Sequence, residues 1–159
     1  MDDAPELDLL HFLPYQVSVL AARLSAALSR VYAERFGISI PEWRVIAHLA
    51  QHRKVSVREV QARVGMDKSK VSRAAARLET AGLVEKRVNA GDRRLVALSL
   101  TRKGRRLFSE IAPLALAFER DLVAALPPAE AEAFRSAVAA LLVHTDGVPT
   151  DGGGKDDPG

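Results

Sequence analysis

Between Lys68 and Arg77 the chain sets cations and hydroxyls at helical spacing. Ser69, Lys70, Arg73 and Arg77 fall at i, i+1, i+4 and i+8 and share one helix face, while Val71, Ala75 and Leu78 share another. Lys68, Ser69, Lys70, Ser72 and Arg73 fill the first two turns. This is chemistry that reads duplex DNA. A guanidinium pairs bidentately with O6 and N7 of guanine, and lysine or serine takes phosphates or base edges. Ser56, upstream, joins the candidate DNA contacts. A second basic element, Asp92-Arg93-Arg94, lies downstream. Arg93 and Arg94 are candidates for a groove, since a narrow minor groove draws guanidinium groups. Asp92 is placed to orient the arginine two residues on.

These residues need elements to position them. Leu9, Leu13, Val17, Leu20, Leu24, Leu28 and Val31 predict a first long helix, with Pro14 at its start or at a kink and Gly37 beyond its end. Ser39-Ile40-Pro41-Glu42 opens a second helix that ends near His52. Ser56 caps a short third helix with Glu59 as its reciprocal partner, and Gly65 breaks it. Asp67 caps the fourth helix, which carries the cationic face and stops at Gly82. Leu83–Val88 and Leu95–Leu100 predict two strands around Asn89-Ala90-Gly91-Asp92, a turn sequence. Thr101 caps a fifth helix reaching Leu126, with a kink expected at Pro113. A sixth follows Pro127-Pro128. Two short helices around a tight turn, followed by a hairpin, describe a winged helix–turn–helix. The expected fold is therefore mainly α, with a small β-hairpin wing and long helices at both ends.

Charge follows the same division. The 159 residues carry a net charge of +3. Residues 53–106 hold sixteen basic and five acidic side chains, a local balance of +11, which leaves −8 on the remainder. A basic block between acidic flanks fits a polyanion-binding module joined to something else. The absence of cysteine excludes disulfides, Cys-ligated zinc and thiol-based redox sensing. No apolar run suits a bilayer span, and the acidic start Met1-Asp2-Asp3 does not resemble a secretory signal, so the cytoplasm is expected. No nucleophile elbow, phosphate loop or dinucleotide fingerprint occurs, so no catalytic residue and no cofactor are expected.

Four stretches carry a family resemblance: Val64 to Arg73, Leu78 to Val84, Asp92-Arg93-Arg94, and Leu98 to Gly104. In this order and spacing the chain resembles the MarR family of bacterial transcriptional regulators, from about Leu9 to Leu142. Lys70 departs from the family, which often has threonine there. The resemblance implies a homodimer whose terminal helices interlock, a pseudo-palindromic double-stranded DNA operator, and a small-molecule effector that weakens binding. It maps the wing arginine to Arg94, and the recognition-helix contacts to Lys68 through Arg73 and Arg77. Residues 1–36 and 101–144 would form the dimerisation region, 37–100 the winged helix, and 145–159 a disordered tail. Apolar clusters near Leu9 to Leu13 and Leu126 to Leu142 point to dimerisation independently, because such surface would otherwise stay exposed.

The resemblance also implies a ligand pocket between the dimer helices and the winged helix. Candidate lining residues are His11, Tyr15, Trp43 and Arg44, able to pair an anion or stack on an aromatic ring. An aromatic carboxylate or a coenzyme A thioester would suit them. His48 and His52 stand at i, i+4, a zinc-compatible spacing, but no further ligand stands nearby in sequence, so no metal is expected. The expected function is a ligand-released repressor. The alternative is a winged helix serving as an architectural or protein-interaction module, which would present apolar residues at positions 69, 70, 73 and 77.

Overall fold

A computed structural model describes residues 7–52, 55–88, 90–92 and 96–146, excepting the side chain of Val64. A 3-10 turn over Leu9–His11 leads into α1 (Leu13–Phe36) and α2 (Ile40–Gln51). Then come β1 (Val55–Ser56), α3 (Val57–Val64), α4 (Lys68–Thr80), β2 (Val84–Val88) and β3 (Val96–Leu100). The helices α5 (Arg102–Val123) and α6 (Pro128–His144) close the order. This is the mainly helical winged helix–turn–helix expected from the sequence. The terminal segment from residue 147 and the acidic start fall outside the described residues.

Local chemistry sets most boundaries. Pro14 lies in the first turn of α1, where its missing N–H is not needed, so it starts the helix. Gly37 and Gly65, both left-handed, end α1 and α3. Ser39 and Glu42 form a reciprocal cap on α2, with Glu42 Oε2 accepting from the Ser39 amide at 2.7 Å. Ser56 and Glu59 repeat this on α3. Thr101 caps α5, its hydroxyl accepting from the Gly104 amide at 3.0 Å.

Two expectations need correction. The wing is a three-stranded sheet of order β1-β3-β2, all antiparallel, because Val55 and Ser56 pair with Leu98 and Ala97. The helix α5 ends at Val123, and the chain reaches Leu126 through tighter i+3 bonds, Ala125 to Leu122 and Leu126 to Val123. Pro113 stands inside α5.

The chain divides into two compact units at Ala115/Leu116. In the first, Val45, Ile46, Val60, Val71, Leu78 and Leu98 are fully buried and hold α2, α3, α4 and the sheet together. Burying each such side chain contributes roughly 1.5–3 kcal/mol, and Val71 and Leu78 supply this on α4 itself. Ala74 and Ala75 are buried too, and their small side chains allow α4 to lie close on its neighbours. Tyr32, Trp43 and Phe108 extend this core as an aromatic stack, with centroids 5.6 and 5.8 Å apart. In the second unit, Arg135 Nη1 of α6 donates to Glu119 Oε1 at 2.8 Å. Phe134, Val138, Leu141 and Leu142 stay exposed there.

Candidate nucleic-acid interface

The turn between α3 and α4 fixes the direction of the cationic face. Gly65 takes φ 62°, and Asp67 then caps α4 by accepting from the Lys70 amide at 2.8 Å. That hydrogen bond, aided by the Lys70 and Arg73 charges, holds the Asp67 carboxyl below its usual range. Asp67 also pairs with Lys70 Nζ at 3.4 Å. The Lys70 ammonium is therefore partly committed to its own helix cap.

The rest of the face is open. Lys68, Ser69, Ser72, Arg73 and Arg77 are exposed, and Val71, Ala75 and Leu78 are buried opposite them. Among the described residues, no ion pair or hydrogen bond engages the side chains of Lys68, Arg73 or Arg77. Two hydroxyls and three exposed cations thus stand on α4 opposite its buried side. Farther along α4, Glu79 pairs with Lys86 of β2 at 3.0 Å and ties the helix to the wing.

Ser56 is differently placed. Its amide and hydroxyl both donate to Glu59 Oε2, at 2.7 and 2.8 Å, and its oxygen accepts from the Glu59 amide at 3.2 Å. These bonds lower the Glu59 pKa. A phosphate at Ser56 would have to replace the hydroxyl's bond. Arg93 and Arg94 lie outside the described residues. Asp92 lies in the connection between β2 and β3 and is engaged by a neighbour.

The four pocket candidates fall in two stretches, His11 and Tyr15 about the start of α1 and Trp43 and Arg44 in α2. His11 stands in the 3-10 turn, with Nδ1 2.6 Å from Asp8 Oδ2. Tyr15 is exposed in the first turn of α1. Trp43 is held between Tyr32 and Phe108. Arg44 lies near Tyr32, and its charge lowers the tyrosine pKa against the larger opposing effect of burial.

A cavity of about 540 Å³ opens elsewhere, lined by Leu49, Ala50, Glu85, Arg87, Ser99, Leu100 and Arg105. Those residues come from the end of α2, the outward strand positions 85, 87 and 99, Leu100 at the end of β3, and the first turn of α5. Glu85 and Ser99 face each other across the strands and share a 3.1 Å hydrogen bond. Arg87 approaches Glu85 at 3.7 Å, and Arg105 Nη1 donates to the Leu100 carbonyl at 2.6 Å. None of the four sequence candidates lines this cavity. The missed signal was the alternation along the strands, which puts Glu85, Arg87 and Ser99 on the face opposite Val84, Leu98 and Leu100.

The histidine pair has its own geometry. The His48 and His52 rings lie 4.8 Å apart. A guanidinium can only donate, so His52 Nε2 accepts from Arg63 Nη1 at 2.9 Å. A metal at that nitrogen would have to displace the arginine. Among the described residues, no three His, Cys, Asp or Glu side chains converge on a possible metal position, and no helix is long and apolar enough to cross a membrane.

The chain and its fold have counterparts among known proteins. A model described as MarR family matches residues 36–95. An uncharacterized protein of Mycobacterium tuberculosis is 30% identical over 113 residues, covering 71% of this chain and 78% of that protein. The HTH-type transcriptional repressor MdtR of Bacillus subtilis is 35% identical over 78 residues, covering 49% of this chain and 50% of the repressor. A crystal structure of a MarR/EmrR family transcriptional regulator from Acinetobacter sp. ADP1 superposes with TM-score 0.79 at 28% identity, covering 88% of this chain and 99% of that one.

Proposed function

Because the chain belongs to the MarR family of transcriptional regulators, we propose that it is a homodimeric, sequence-specific repressor released from a pseudo-palindromic operator by a small ligand. The observation that carries this reading is the α4 face. Exposed Lys68, Ser69, Ser72, Arg73 and Arg77 stand on a helix whose other side is fully packed. A helix that offers cations and hydroxyls from a rigid seat is suited to the major groove. Arg93 and Arg94 would add a wing contact, and Asp92 would orient it. Ser56 would approach phosphate at the start of α3.

Dimerisation is favoured by apolar surface on both units. Leu10 and Leu13 near α1 and Leu141, Leu142 and Val143 in α6 are all more than half exposed. Exposed apolar side chains clustered in this way are unusual on a soluble monomer. A twofold dimer would also set two recognition helices about 34 Å apart, one turn of DNA. Repression is favoured by the likeness to the MdtR repressor. Action on DNA places the work in the cytoplasm.

Ligand release is favoured by the cavity beside the wing. Arg87 and Arg105 offer charge, and Leu49, Ala50 and Leu100 offer an apolar floor. That combination suits an anion with an apolar body, such as an aromatic carboxylate. His11, Tyr15, Trp43 and Arg44 remain the candidates for a second seat nearer the helices.

A competitive gel shift tests the reading. The probe is the duplex upstream of the chain's own gene, with random duplex as competitor and a panel of aromatic carboxylates and acyl thioesters. A competitor-resistant shift abolished by one compound is expected. A shift that random DNA removes equally well would contradict the repressor reading.

A further inference from the structure

The recognition helix is fastened just past its far end by two residues from the start of α5. The helix α4 ends at Thr80, and Gly82 turns left-handed at φ 70°. The next amide, of Leu83, returns to the Leu78 carbonyl at 2.9 Å. The carbonyls of Ala81, Gly82 and Leu83 are then all taken by the start of α5. Lys103 Nζ donates to Ala81 O at 2.8 Å, Thr101 Oγ1 to Gly82 O at 2.7 Å, and the Thr101 amide to Leu83 O at 3.1 Å. The Thr101 oxygen also accepts from the Gly104 amide, so both its roles are filled.

We propose that Thr101 and Lys103 are positioning residues for DNA reading, a clamp that fixes where the recognition helix ends and so where Arg73 and Arg77 point. This rests on the DNA-reading role of α4. Three consecutive carbonyls held by two residues leave that end little freedom to rotate. The carbonyls just past a helix C-terminus carry partial negative charge, which favours an ammonium group there. Lys103 is thus turned toward the protein backbone, although it lies in the basic block and would otherwise be read as a phosphate contact. The helix α5 continues from this clamp past Ala115 into the second unit. A shift of its first turn would be felt directly at the end of α4.

The experiment compares full-length wild type with Lys103→Met, Lys103→Arg, Thr101→Val and Thr101→Ser. Fluorescence anisotropy is measured at several salt concentrations on the upstream duplex and on random duplex. Lys103→Met, which loses one hydrogen bond, is expected to lose roughly three- to tenfold in affinity for the upstream duplex, and Thr101→Val, which loses two, at least as much. Affinity for random duplex and the salt slope stay unchanged. Lys103→Arg and Thr101→Ser recover the loss. Amide exchange at Leu83 quickens in the two impaired variants, without DNA present. Equal losses on both duplexes, with a salt slope smaller by about one phosphate, would make Lys103 a phosphate contact and overturn the clamp. Unchanged discrimination or unchanged exchange at Leu83 overturns it as well. If wild type itself fails to discriminate the duplexes, the DNA-reading role fails instead, and the exchange result still decides whether the clamp holds.

Discussion

The backbone of Gly104 lies against the carbonyl oxygen of Leu83, so closely that any side chain at 104 would collide with it. The obstacle is backbone that also accepts from the Thr101 amide at 3.1 Å. It cannot swing aside as a flexible side chain would. A Cβ would also meet Leu100 Cδ2 at 3.2 Å. Gly104→Ala should therefore destabilise the first unit by about 1–3 kcal/mol, the usual range for overpacking, although alanine is the better helix former. A denaturant melt checks this. Wild-type stability in the alanine variant would show that the two segments separate at little cost.

His48 predicts an acid limb of stability. Its Nε2 is buried without a hydrogen-bond partner among the described residues. Burial, then the neighbouring His52 and Arg63, push its pKa below the usual 6.5, with Glu59 opposing. The unfolded chain takes the proton more readily than the native state. The stability contribution is full above about pH 6.5 and is lost as pH falls through the depressed native value. Glu59 and Asp67, also depressed, add a second loss below their usual 4.5 and 3.8. His48→Gln should remove the first step and leave the second. Melting temperatures between pH 4 and 7.5 test this, and an unaltered first step in the variant would assign it elsewhere.

What the sequence revealed was chiefly local chemistry. Ser39, Ser56, Asp67 and Thr101 cap helices through contacts three residues ahead, and Gly37 and Gly82 end them through their own φ. Such features depend on nearby residues and can be read along the chain. The strand β1 could not be, because two residues carry no period and only pairing with Ala97 and Leu98 makes them a strand. The cavity was hidden for the same reason. Ala50, Glu85, Ser99 and Arg105 meet only once strand register and the α5 start are fixed. The setting of Trp43 was hidden too, since it stacks between Tyr32 and Phe108, partners distant in sequence. The cationic α4 face was legible because one helical period defines it.

Arg73 is exposed, and no ion pair with it occurs among the described residues. Arg73→Ala should weaken binding to the cognate duplex by about 1–3 kcal/mol and relax preference at one base position. Binding titrations on cognate and random DNA separate the roles. Equal losses on both would assign Arg73 to phosphate.

The exposed apolar residues of α6 bear on assembly. Leu142 is 66% exposed and Val143 78%. Leu142→Lys, alone or with Leu13→Lys, should shift the chain toward monomer in light scattering and leave the melt of the first unit little changed. A dimer that withstands the double substitution would move the interface elsewhere.

The central claim is that two copies of this chain read a symmetric DNA site through α4. Footprinting of the duplex upstream of its gene tests it most directly. The account predicts two protected half-sites related by a twofold axis, their centres about one helical turn or a small multiple apart. It also predicts that protection disappears with Arg73→Ala at concentrations where wild type protects fully. A single asymmetric patch, or protection indifferent to sequence, would contradict it.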